Sequence, residues 1–221
     1  MKMNGKIQYA VETLFDLVHL PGQRRKQIEH DFPKQNLTRI TVLKPTNQAL
    51  AKHLLGSSSP YYADRMFTDT YATDSYQNVL LSLISFRKQT SKYPAHITII
   101  SHDFKKSRFL DLHLKAIKWP RERVSYIGID PPEEISSRGE LDINEAEAVG
   151  AWERDLYGVG TELAGKRRKR GWKDDLVSQL CAEGGGNALE VEVCKLLGWG
   201  GGRDGTMVFP ETLPWEKMAR E

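Results

Sequence analysis

Apolar residues occur along this chain in short runs whose period changes from segment to segment, and those changes locate the elements. Ile7, Val11, Leu14 and Val18 recur at helical spacing, so residues 7–19 read as an amphipathic helix ended by Pro21-Gly22. Residues 24–30 are strongly charged and read as a short helix or a solvated linker. Residues 37–43 alternate and are rich in β-branched side chains, which predicts a strand closed by Lys44-Pro45. A short helix over 47–55 and a loop over 56–60 follow.

Beyond residue 70 the periodicity is stronger. Over residues 74–89, Tyr76, Val79, Leu80, Leu83 and Ile84 form one apolar helical face, with Thr73 or Asp74 placed to cap it. Ser75, Asn78, Ser82 and Ser85 form a second face, small and polar, where a solvated helix would normally carry Lys and Glu. His96 to Ile100 is a nearly continuous apolar strand of the kind buried on both sides. A helix over 103–117, with Phe109, Leu112, Ala116 and Ile117 inward, leads to a strand over 124–129. Strand, helix, strand, helix, strand over residues 37–129 predicts an α/β fold with a mostly parallel sheet. Helices over 143–156, 173–182 and 187–197 follow, the last two separated by Gly184-Gly185-Gly186. The chain therefore divides into an α/β domain, residues 1–160, and a C-terminal helical or irregular extension, residues 161–221, that carries the basic run Lys166 to Arg170.

Composition narrows the class. The 221 residues are 39% hydrophobic and 28% charged, which excludes a disordered or collagen-like chain. No apolar run approaches a membrane span. Glu12, Asp16 and His19 interrupt the N-terminal apolar stretch and argue against a secretory signal or a mitochondrial presequence. The expectation is a cytoplasmic protein without a membrane partner, with Lys166 to Arg170 as a candidate nuclear address. A net charge of +3 is too small to imply nucleic acid, and only Trp172 offers stacking near the basic run. Cys181 and Cys194 lack a C-x-x-C context and read as two free thiols. His19, His30, His53 and His113 show no metal-ligand spacing and are expected at the surface or half-buried, so no metal is assigned and no cofactor is named. Gly200, Gly202 and Gly205 match G-x-G-x-x-G by chance, since no strand precedes them and Pro210 and Pro214 block a following helix.

Two stretches carry candidate chemistry. In the first, residues 69–78, Asp69 and Asp74 are the carboxylates available for a general base, while Ser75 and Asn78 can orient a ligand. The second, residues 101–109, lies where a strand turns into a helix, at the carboxyl edge on which open α/β sheets bind ligands. Lys105, Lys106 and Arg108 crowd a helix start whose partial positive charge disfavours cations. A bound anion would explain them, with Ser101, Lys105 and Arg108 as ligand-binding residues and Lys106 the weakest of the group.

These stretches resemble the domain-of-unknown-function 218 family, the SanA/YdcF-like proteins, and especially its fungal branch. The family pattern is matched by Asp69, Ala72, Asp74, Ser75, Gln77 and Asn78, and again by Ser101, His102, Asp103, Phe104, Lys105 and Arg108. Tyr126 to Pro132, Asp155 to Gly160 and Phe209 to Trp215 are similar to the fungal branch too. Lys105 stands where bacterial relatives have a histidine, and the glycine turns that relatives carry near the N-terminus are not found upstream of residue 67. The resemblance implies a Rossmann-like three-layer α/β/α fold, best matched over residues 67–130 and incomplete or divergent at the N-terminus. It also implies a pocket lined by these polar residues, for which a small anionic, phosphate- or nucleotide-like ligand is the expectation. No reaction is assigned. The alternative is a non-catalytic, truncated family member acting as an interaction module.

Overall fold

The computed structural model describes residues 9–14, 38–43, 66–129, 138–182 and 188–217. Strands β1 (Tyr9–Leu14), β2 (Thr38–Leu43), β3 (Met66–Thr68), β4 (His96–Ser101) and β5 (Val124–Gly128) form one five-stranded sheet in the order β3-β2-β1-β4-β5. Every neighbouring pair is parallel. The helix expected over 7–19 is thereby corrected, because its centre is strand β1. Only Val11 and Leu14 of the four apolar residues lie in it, and Tyr9, Val11 and Thr13 prefer a strand. Pairing on both sides decides it, with Val11 opposite Ile40 on β2 and Ile97 on β4. The expected segments 24–30, 47–55 and 56–60, the Gly184 to Gly186 break and the turn Asp130 to Pro132 lie outside the described residues.

Helix α1 (Ser75–Thr90) starts at Asp74, whose carboxylate accepts from the Gln77 N–H at 2.8 Å, and it ends at Ser91 in a left-handed conformation. It is buried around most of its circumference. Gln77, Asn78 and Ser82 are as enclosed as Leu80 and Leu83, so the small polar face does not meet bulk solvent.

The expected helix over 103–117 forms as a composite, α2: a 3-10 turn Asp103–Lys105, a π-helical stretch Arg108–His113 and an α-helical turn Leu114–Ala116. At its end Lys118 adopts φ +54°, and the Trp119 N–H reaches back to the Leu114 carbonyl at 2.9 Å. Helices α3 (Arg138–Arg154), α4 (Thr161–Lys169), α5 (Asp175–Ala182), α6 (Val191–Leu197) and α7 (Pro214–Lys217) complete the described chain.

One hydrophobic cluster links the helices to β4 and β5. It joins Leu80 and Ile84 of α1 and Ile97 of β4 to Leu163, Val193, Phe209 and Trp215. Two polar devices fasten the later segments to the sheet. Arg123 donates to the carbonyls of Ala95, Pro94 and Trp215 at 2.5, 2.7 and 2.7 Å, with its guanidinium 4.9 Å from the centre of the Trp119 ring. Asp155 closes the loop after α3 by accepting from the Val159 and Gly160 N–H groups. Gly158 in that loop has φ +65°, and a side chain there would overlap the Arg167 guanidinium.

Cys181 and Cys194 form a disulfide between α5 and α6, with Cα atoms 5.8 Å apart, which corrects the expectation of two free thiols. The fold brings the two sulfurs together, a contact no spacing motif announces. Among the described residues no helix is long and apolar enough to cross a membrane.

Candidate functional site

A cleft of about 510 Å³ opens at the carboxyl end of β4. Five segments line it. The start of α1 brings Thr73, Asp74, Ser75 and Asn78; β4 brings Ser101; α2 brings Phe104, Lys105, Arg108 and Phe109. The far wall comes from α3, with Asn144, Glu145 and Trp152 among others, and from Leu163, Lys166 and Arg170 in and just beyond α4. Of the residues the sequence singles out, Asp74, Ser75, Asn78, Ser101, Lys105 and Arg108 meet at this cleft. Asp69 does not line it: it is buried, and its Oδ1 accepts from the Tyr71 and Ala72 N–H groups, so it closes the turn before α1.

The electrostatics of the cleft are cationic on balance. Lys105, Arg108, Lys166 and Arg170 face it against Asp74 and Glu145. Asp74 is fully engaged: Oδ1 caps α1, and Oδ2 accepts from Arg167 Nε at 2.5 Å behind the wall. Glu145 Oε2 forms an ion pair with an Arg108 terminal nitrogen at 3.1 Å, both side chains being largely enclosed. Burial pushes the Glu145 carboxyl above its ordinary value, while Arg108 and Lys105 pull it back.

That pairing revises the expected role of Arg108. Its charge near the helix start is answered within the protein by Glu145, so no external anion is needed to explain it. The dipole argument changes as well, because a 3-10 turn and a π-helical stretch replace the expected α-helical first turn. Lys106 is exposed and lies away from the cleft. Lys105 is half-buried and sits 5.5 Å from the centre of the Phe104 ring.

The basic run beyond residue 165 is divided among three tasks. Lys166 and Arg170 line the cleft, the former 2.8 Å from Glu162, the latter donating to the Thr73 carbonyl at 2.9 Å. Arg167 turns inward to Asp74, while Arg168 and Lys169 are exposed.

Sequence reasoning missed His113, and the correction is large: it is wholly buried rather than at or near the surface. Its Nε2 lies 2.7 Å from Ser75 Oγ, so it backs a residue of the cleft wall. Burial, reinforced by the charges of Arg108 and Arg167, holds its imidazole well below the ordinary value and keeps it neutral. The π-helical step explains how Arg108 and His113 act together. Five residues apart on an α-helix they would diverge by about 140°, whereas a π turn returns residues five apart to nearly the same face. The Leu114 N–H bonded to the Phe109 carbonyl is one such step. Among the described residues no group of three His, Cys, Asp or Glu is placed to hold a metal ion.

Comparison with known proteins adds one relative. The chain is 28% identical over 148 residues to the uncharacterized protein YOR238W of Saccharomyces cerevisiae, a match covering 63% of this chain and 49% of the yeast protein. The chain thus spans about half the length of the relative it matches. No family model matches the chain. No solved structure matches it either.

Proposed function

We propose that the cleft binds a small anionic ligand, phosphate- or nucleotide-like, and that the chain is a divergent SanA/YdcF-like protein with a Rossmann-like three-layer arrangement. The observation that carries the ligand reading is Asn78. Asn78 is 4% exposed and lines the cleft with Ser75 and Ser101. A carboxamide on a cleft wall offers two N–H donors and one acceptor to a polar ligand. The cations around it favour an anion. The fold reading is supported by the strand order, which reverses direction between β1 and β4, the place where such sheets hold ligands at their carboxyl edge.

Binding without turnover is the reading the carboxylates favour, since Asp69 closes a turn and both oxygens of Asp74 are engaged. The division of the basic run argues against a nucleic-acid footprint, because only Arg168 and Lys169 are left to outward solvent away from the cleft.

A thermal-shift screen with inorganic phosphate, nucleotides, sugar phosphates and S-adenosylmethionine tests the proposal. Stabilisation by at least one anion is expected, weaker in high salt and reduced in Lys166→Gln/Arg170→Gln. A flat response across the screen would overturn it and leave the interaction module as the better account.

A further inference from the structure

His113 belongs to no pattern in the sequence, yet it is the residue on which the polarity of the cleft turns. A buried imidazole has three forms, and its surroundings discriminate among them. The groups facing it are Tyr76 from α1, Phe109 and Arg108 from its own helix, Trp152 from α3 and Arg167 from α4. Two of these are guanidinium groups and none is a carboxylate, so an imidazolium there would be buried between like charges.

Two neutral tautomers remain. Nε2 is 2.7 Å from Ser75 Oγ, while Nδ1 is buried with no hydrogen-bond partner among the described residues. If Nδ1 carried the proton, a buried N–H donor would be orphaned. With the proton on Nε2, only a lone pair is left bare, and stranded acceptors are the better tolerated of the two.

We infer that His113 is a positioning residue that donates its Nε2–H to Ser75 Oγ and so turns the Ser75 hydroxyl proton toward the cleft. Ser75 is then a committed donor, suited to an acceptor-rich group such as a phosphate oxygen. For the same reason the pair is not a nucleophile and its base, because the nitrogen that would take the serine proton already holds one. The inference deepens the anion-binding reading of the cleft and rests on it for the identity of the group that Ser75 meets.

Long-range proton–nitrogen correlation on the full chain labelled with nitrogen-15 reads the tautomer directly, with the His113 ring assigned by its loss in His113→Gln. Nε2–H with a bare Nδ1 is expected, unchanged from about pH 5.5 to about 8.5. An Nδ1–H pattern, or titration within that range, would overturn the inference. Ser75→Ala, which leaves the buried histidine in place, provides the second measurement. It should weaken inorganic phosphate binding by about tenfold, and an unchanged affinity would count against the donor role. Should phosphate fail to bind the unmodified chain while the Nε2–H pattern holds, the ligand reading falls and the Ser75–His113 polarity stands.

Discussion

Asp74 and Arg167 meet at 2.5 Å, each with 9% of its side chain exposed, although 93 residues separate them in the chain. The pair fastens the basic run to the capped start of α1 and so sets the distance between two walls of the cleft. Removing one partner strands the other charge in an enclosed site. Arg167→Ala is expected to cost about 3–5 kcal/mol, measured by urea unfolding. Asp74→Asn should cost less, since an asparagine still caps the helix.

Arg108 and Glu145 form a second enclosed pair, and the two single substitutions should behave unlike the double one. Arg108→Met or Glu145→Leu alone leaves a buried charge and is expected to destabilise by about 3–5 kcal/mol. The double variant Arg108→Met/Glu145→Leu should recover most of that loss. A double-mutant cycle in urea checks this, and additivity of the two single effects would refute the pairing.

The pH dependence of stability should carry the signature of His113. Its folded value lies well below the ordinary 6.5, so the unfolded chain takes up a proton that the folded one refuses. Its contribution is fully present above about pH 6.5 and is lost as pH falls below it, with a slope approaching 1.4 kcal/mol per pH unit. Glu145 acts in the opposite sense: its raised carboxyl favours the folded state at low pH, an effect lost as pH rises through its folded value. Both proteins in a comparison with His113→Gln contain Glu145. The difference between their slopes, followed by denaturant unfolding from about pH 7 to 5, isolates the histidine; parallel curves would contradict its burial as a neutral group.

The Cys181–Cys194 disulfide closes a short loop between α5 and α6. Breaking it with reductant, or with Cys181→Ala/Cys194→Ala, should cost about 3 kcal/mol by the chain-entropy relation. Thiol titration of the unreduced, denatured chain should find neither cysteine reactive.

Local signals in the sequence go a long way here, and their limits are specific. The apolar face of α1, the run through β4 and the strand at 124–129 are periodic over enough residues to identify themselves. The small polar face of α1 correctly points away from bulk solvent, which is how Ser75 and Asn78 come to be named. Strand β1 was ambiguous because apolar residues spaced four, three and four apart fit a helix, and only its two neighbours settle the matter. Glu145, Arg167 and His113 were out of reach for another reason. Each acquires its role from a partner brought near by the fold, over 37, 93 and 38 residues respectively. The π-helical step within α2 leaves no mark on composition, yet it decides which side chains of that helix share a face.

The three carbonyls held by Arg123 come from the lead-in to β4 and from Trp215, and the Trp215 indole returns a hydrogen bond to the Ile117 carbonyl at 2.8 Å. The last turn of the described chain is therefore a keystone of the sheet's flank and no mere tail. An expression boundary drawn ahead of Phe209 would expose the underside of α2 and deprive one guanidinium of a ligand it depends on. Shortened versions ending there should be recovered as aggregates, whatever becomes of the cleft on the opposite side.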